Sequence, residues 1–287
     1  LVVELIRHGH EVTGMTRSEA GARKLVEGGA VAELVDAFDA GAVEAAVRRS
    51  KAEVVIDQLT ALPKHPSELL AALPGDARLR IEGGGNLRRA ALASGARRYI
   101  QQSSGFYLRA GSGLADESEQ LAIDASPAVA ASARIYAELE ARTLAPGPME
   151  GVALRYGFFY GPGTWYRPEG GAADQVRRRQ SPIIGEGQGV WSFVHIEDDA
   201  RATVAALTSE PGKYNVVDDD PSPVSRWLPA FAQWLGAPPP PHMEEGEARD
   251  VLGEDEVYYG TKLRGASNAK ARSALDFRPR PLPWLRA

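Results

Sequence analysis

Cysteine is absent from all 287 residues, which excludes disulfides, thiolate metal sites and a cysteine nucleophile. Histidine is scarce. His8, His10, His65, His195 and His242 show no metal-ligand spacing, because His8-x-His10 only brackets a helix end. No uninterrupted apolar stretch approaches ~18 residues and mean hydropathy is -0.27, so no membrane span is predicted. Acidic residues outnumber basic ones, 38 to 33, for a net charge of -5 and a pI of about 5.7. Such a chain has no global attraction for nucleic acid or anionic lipid. The run Arg177-Arg178-Arg179 reads as a solvated helix face, or at most a contact for an anionic substrate. An initiator methionine is also lacking: the chain opens Leu1-Val2-Val3-Glu4-Leu5. No internal repeat or secretory signal is seen, and the expected location is the cytoplasm.

What is present has the balance of a globular protein, with 44% hydrophobic and 25% charged residues. Residues 1–8 suit a helix, and Gly9 supplies a left-handed stop. An extended run over 11–15 follows, then a helix at about 19–28, a strand over 32–35, a helix at about 40–49 and a strand over 53–57. After the loop at Leu62-Pro63 come a helix from about 85 to 94, a strand over 98–102 and the turn Ser103-Ser104-Gly105. A helix at about 130–144 and a strand over 151–156 close the series. Strands alternating with helices build a parallel sheet, so the predicted class is α/β, Rossmann-like and doubly wound. Beyond Gly161-Pro162-Gly163 short strands, turns and aromatics dominate, including Trp165, Tyr166 and Trp191, which suit either a substrate pocket or core packing. Pro238 to Pro241 form an extended surface segment. Gly185-x-Gly187-x-Gly189 reads as a turn, and Gly83-Gly84-Gly85 as a helix start packed close to the sheet rather than a phosphate loop.

Several segments carry a resemblance. Gly9-His10-Glu11-Val12 with Arg17, Val35-Asp36-Ala37-Phe38-Asp39, Val55 to Ala61, Leu154-Arg155 through Tyr160-Gly161-Pro162-Gly163, and Phe193-Val194-His195 through Ala200 follow one order along the chain. Together they resemble the NAD-dependent epimerase/dehydratase family, the extended and atypical short-chain dehydrogenase/reductases. The resemblance implies an NAD(P)-binding Rossmann-like domain over residues 1–160. A smaller, mainly substrate-binding α+β region is expected over 161–287, with some elements returning to the first domain. It implies a small-molecule substrate, no nucleic acid or membrane partner, and allows a homodimer.

The family opens on a strand and a glycine-rich turn that hold the dinucleotide pyrophosphate. Neither is seen here, and on the order of 15 residues upstream of Leu1 are expected. The strand would lie between the second and fourth. Losing about five mostly buried residues at roughly 1.5–3 kcal/mol each forfeits ~10 kcal/mol, against a net stability of about 5–15. Taken literally, the chain is expected to be an N-terminally truncated fragment of compromised stability and cofactor affinity.

For the cofactor, the resemblance points to Thr16, Arg17 and Ser18 after the second strand, Asp36 and Ala37 near adenine, Leu59, Thr60 and Ala61 along the dinucleotide, and Ser103. Arg17 stands where an acid would select NAD, and its forked donors suit a 2′-phosphate, so NADP is favoured over NAD.

For the chemistry, the family uses a Ser or Thr after its fifth strand and Tyr-x-x-x-Lys on the next helix. Ser104 is the candidate serine. The lysine is missing in either of two registers: Tyr136 is followed by Glu140, or, counting back from Arg155, Tyr136 itself takes the lysine position and Ser132 the tyrosine position. An unperturbed tyrosine, pKa about 10, is only ~0.1% ionised at pH 7, and lowering it to about 7 needs ~4 kcal/mol. Tyr136 and Tyr107 are the candidate proton donors. The expected function is an NAD(P)-dependent oxidoreductase transferring hydride to or from a small carbonyl, alcohol or sugar-like substrate. The alternatives are a non-catalytic NAD(P)-binding sensor or scaffold, or an inactive fragment.

Overall fold

The computed structural model describes residues 1–286. Its first half is a series of right-sized βα units: α1 (Val2–Arg7), β1 (Thr13–Thr16), α2 (Glu19–Glu27), β2 (Val31–Leu34), α3 (Ala40–Ser50), β3 (Val54–Asp57), α4 (Leu69–Arg78), α5 (Gly84–Ala93), β4 (Arg98–Ser104), α6 (Pro127–Leu144) and β5 (Glu150–Tyr156). The second half is more broken: β6 (Phe158–Tyr160), α7 (Gly171–Arg177), β7 (Ile183–Ile184), β8 (Val190–Trp191), β9 (Phe193–His195), α8 (Ile196–Ala205), β10 (Gly212–Val216), β11 (Ser222–Pro223), α9 (Val224–Trp234), β12 (His242–Met243), α10 (Glu245–Val251), α11 (Glu254–Thr261) and α12 (Ala269–Ala274).

Helix starts follow from local chemistry. Ser18 caps α2 by accepting from the Gly21 amide at 3.1 Å, and Asp39 caps α3 by accepting from Ala42 at 2.9 Å; such caps contribute about 1 kcal/mol each. The main sheet is parallel, in the order β10-β5-β4-β3, with β1 and β2 forming a separate parallel pair. Neighbouring residues of β4 feed opposite layers: Tyr99 packs with Val43, Val47, Leu87 and Ala91 of α3 and α5, and Ile100 with Val152, Leu154, Val216 and Ala206. Both faces are covered, which is why β4 and β5 read as nearly unbroken buried runs. Ile100, Val152 and Leu154 are fully buried, each stabilising by about 1.5–3 kcal/mol.

Three differences from the sequence expectation have physical reasons. β4 runs through Ser104 rather than turning at 103, because β5 pairs with it as far as Ser104 opposite Tyr156. Residues 69–83, left without an element, form α4 and a π-helical turn (Leu79–Gly83) that leads directly into α5; Pro74 inside α4 disguised it. The polyproline segment is only partly a surface feature, since Pro240 is buried. Among the described residues no strand lies between β1 and β3, and the two share no hydrogen bonds. No helix among them is long and apolar enough to cross a membrane.

Candidate active site

Apart from Tyr107 and Tyr136, the candidate residues of the first half lie at or just after the carboxyl ends of parallel strands, where ligands bind in such sheets. Thr16 ends β1, Asp36 and Ala37 follow β2, Leu59 to Ala61 follow β3, and Ser104 ends β4. Arg17 is exposed and makes no ion pair among the described residues. Ser18 spends its oxygen on the α2 cap, and Thr16 Oγ1 accepts from the Ser18 amide at 3.5 Å. Asp36 Oδ1 accepts from the Phe38 amide at 3.0 Å, forming the turn, and the Ala37 carbonyl accepts from Asn86 at 2.8 Å.

A dinucleotide needs close backbone approach beside this rim, and the glycines provide it. A Cβ at Gly83 would stand 3.0 Å from Ala37 Cβ and 3.6 Å from Leu59 Cδ1, so Ala37, Leu59 and Gly83 share one narrow cradle. A Cβ at Gly84 would meet Arg142 at 2.6 Å and Asp57 at 2.7 Å, which bears out the reading of this triplet as close packing. Burial raises the Asp57 carboxyl, and it accepts from Tyr99 at 2.8 Å and the Leu59 amide at 3.0 Å.

The loop after β3 is held by a residue pair that sequence reasoning missed. Asp76 accepts from the Ala61 amide at 2.6 Å and the Thr60 hydroxyl at 3.0 Å, and binds Arg80 at 2.6 Å. Arg80 also donates to Thr60 at 3.0 Å. Its Nη1 is buried without a partner among the described residues, an orphan donor beside the loop after β3. The Asp76-x-x-x-Arg80 spacing was a usable signal, hidden by the unrecognised helix.

Ser103 and Ser104 point to opposite sides of β4. Ser103 donates to Glu140 at 2.6 Å, which gives its hydroxyl a structural partner. Ser104 is buried, its oxygen accepts from the Phe106 amide at 3.4 Å, and its hydroxyl hydrogen has no acceptor among the described residues. Glu140 in turn grips Arg155 at 2.6 and 2.7 Å, which fits the register that puts Tyr136 in the lysine position and Ser132 in the tyrosine position.

Around this face the hydroxyls cluster. Tyr107 bonds Tyr259 at 2.9 Å, and its ring lies 5.9 Å from that of Tyr136. Arg80 sits 5.1 Å from the Tyr136 ring centre. Burial nevertheless pushes the Tyr136 phenol up to about 12, against the pull of Arg80, and burial raises Tyr107 and Tyr259 as well. These phenols stay protonated at neutral pH.

The aromatics of the second half sort themselves. Phe106, Phe158 and Trp191 stack in sequence with centres 4.1 Å apart, and Tyr166 packs edge-on into the same cluster. Trp165 donates to the Pro63 carbonyl at 3.2 Å. His195 caps α8 by accepting from the Glu197 amide at 3.2 Å, a structural part. Arg177 to Arg179 are exposed, and the 185–189 glycines form the turn between β7 and β8. Among the described residues no group of acids and histidines is arranged to hold a metal.

The sequence matches the NAD dependent epimerase/dehydratase family over residues 1–217. The chain belongs to that family. It is 41% identical to a 3-diazoavenalumate denitrifying reductase of a Streptomyces species, over 99% of this chain and 93% of the relative. Among solved structures it is similar to the UDP-glucose 4-epimerase of Thermus thermophilus in complex with NAD, at 25% identity and TM-score 0.70, covering 99% of this chain and 91% of that one. The fold also matches a dTDP-glucose 4,6-dehydratase of Streptomyces venezuelae, at 17% identity and TM-score 0.68, covering 99% and 92%. As a member of the epimerase/dehydratase family, the protein is an enzyme, an NAD(P)-dependent oxidoreductase with a Rossmann-like fold.

Proposed function

We propose that this protein is an NADPH-dependent reductase that accepts a small electron-poor substrate, with diazo compounds as its substrate class. One observation carries the direction: α6 has no lysine, and burial holds the Tyr136 phenol near 12. A phenol that stays protonated can give a proton but cannot begin an oxidation by taking one from an alcohol. Epimerase and dehydratase cycles need such a base, so this site suits reduction.

The 41% identical relative, whose name describes reductive denitrification of a diazo compound, supports the substrate class. That reduction demands little acid–base work. R–N2⁺ gains a hydride and loses N2 to give R–H: the C–N bond breaks, a C–H bond forms, and the positive charge passes to the oxidised nicotinamide. When bound, the nicotinamide supplies the hydride. Ser104 offers its free hydroxyl hydrogen to an acceptor atom of the substrate and orients it. Tyr107 and Tyr136 border the site as neutral phenols and keep water out of it. Thr16 and Arg17 face the adenosine ribose, with Arg17 as the 2′-phosphate partner, Asp36 and Ala37 the adenine, and Leu59 to Ala61 the middle of the dinucleotide.

The test is turnover of the full-chain protein with NADPH and a ¹⁵N-labelled aryl diazonium carboxylate. Loss of absorbance at 340 nm should match ¹⁵N2 release one to one. Isomerisation of a nucleotide sugar, with no nitrogen released from the diazonium compound, would overturn the proposal.

A further inference from the structure

We infer that Arg80, from the π-helical turn, supplies the cation that α6 lacks at the Tyr136 position and hydrogen-bonds the ribose at the nicotinamide end of the dinucleotide. The inference rests on the dinucleotide-dependent reading above.

The Arg80 side chain is 2% exposed. Its Nε is fixed by Asp76 at 2.6 Å and its Nη2 by Thr60 at 3.0 Å, yet Nη1, with two N–H groups, has no partner. A buried guanidinium nitrogen left unpaired in an otherwise satisfied network marks a place made for a ligand oxygen. Both neighbours are cofactor-side elements: Thr60 lies in the loop after β3, and Tyr136 lies 5.1 Å from the guanidinium carbon.

The turn that carries Arg80 is itself anchored. Arg142 of α6 donates to the Arg80 carbonyl at 2.9 Å and to the Ile81 carbonyl at 3.1 Å. π-helical turns are rare and often sit at functional sites. Glu140, bound to Arg155, fixes the rotation of α6, so that Tyr136 stands one helical turn earlier on it. Arg80 therefore brings a positive charge, from a different helix, to the face where the helix itself offers only a phenol. Its fixed, forked donors match a pair of adjacent hydroxyl oxygens better than a flexible ammonium would.

Dinucleotide affinity of the full-chain protein tests this without any turnover. NADPH is titrated by its fluorescence, and 2′,5′-ADP, which lacks the nicotinamide riboside, by displacement. Arg80→Gln should weaken NADPH at least tenfold and leave 2′,5′-ADP within twofold, while Arg80→Lys stays within threefold of the wild type for NADPH. Should Arg80→Gln not fold, Asp76→Asn/Arg80→Met removes both charges, keeps the amide and hydroxyl partners of residue 76, and should give the same split. Unchanged NADPH affinity, or equal weakening of both ligands, overturns the inference; the first of these with a raised KM for the substrate would assign Nη1 to the substrate instead. Failure of the wild-type protein to bind NADPH would overturn the dinucleotide reading itself, together with this one.

Discussion

Glu140 and Arg155 lock α6 against β5 through two charge-assisted hydrogen bonds of 2.6 and 2.7 Å, with Ser103 of β4 donating to the same carboxylate at 2.6 Å. The pair is buried, with side-chain exposures of 8% and 1%, and it sets which residues of α6 face the cleft. Arg155 also donates to the Glu119 carbonyl at 3.2 Å, tying in the loop before α6.

Removing one partner leaves a buried charge uncompensated. Glu140→Ala is therefore expected to lose about 3–5 kcal/mol of unfolding free energy, read as a shift of the urea midpoint with the slope unchanged. Glu140→Met combined with Arg155→Leu should recover most of the loss. A single variant as stable as the wild type would show that the pair does not hold the helix.

Ser104 has a free hydroxyl hydrogen at the end of β4. Ser104→Ala should lower kcat at least tenfold, toward the roughly 100- to 1000-fold cost of losing one aimed donor, while the melting temperature and NADPH affinity stay put. Steady-state rates on folded protein check this, and an unchanged kcat removes the serine from the chemistry.

The Tyr136 phenol is raised from the ordinary 10 to about 12 in the fold, first by burial. The sign follows from linkage: the contribution is complete below pH 10, where both states are protonated, and is lost as pH rises from 10 through about 12, in all ~2–3 kcal/mol. Tyr136→Phe should flatten that part of the stability–pH curve. In turnover, the rate should show no alkaline limb between pH 6 and 9; a limb near pH 7 that disappears in Tyr136→Phe would mean that the phenol ionises after all.

The alternation of strands and helices made the parallel sheet legible in the sequence, because strands buried on both faces, such as the run Val152-Ala153-Leu154 of β5, leave apolar signals. Ser104 was legible too, as a serine at a strand's carboxyl end. The region 69–83 was not, since Pro74-Gly75 imitates a loop while the long helical path around it tolerates both. Arg80 and Asp76 were lost with it, and the partner of Ser103, Glu140, is one that only the folded chain brings within reach. Spacing left two registers open on α6; a contact between residues fifteen positions apart favours one.

On the proposed preference for NADPH, Arg17 is the residue that selects between the two dinucleotides. It follows β1 directly, is exposed, and has no ion-pair partner among the described residues, so its charge is available to a 2′-phosphate. Ser18, the other hydroxyl nearby, is occupied by the α2 cap and adds little. Arg17→Glu should weaken NADPH by about tenfold or more, since a charge-assisted hydrogen bond of about 1.5–3 kcal/mol is replaced by repulsion. NADH affinity should hold or improve, because a carboxylate accepts from a free 2′-hydroxyl. Paired fluorescence titrations with NADPH and NADH at two salt concentrations check both arms, the NADPH loss shrinking at high salt as exposed charges are screened. Equal affinities for the two cofactors in the wild type would remove Arg17 from the selection.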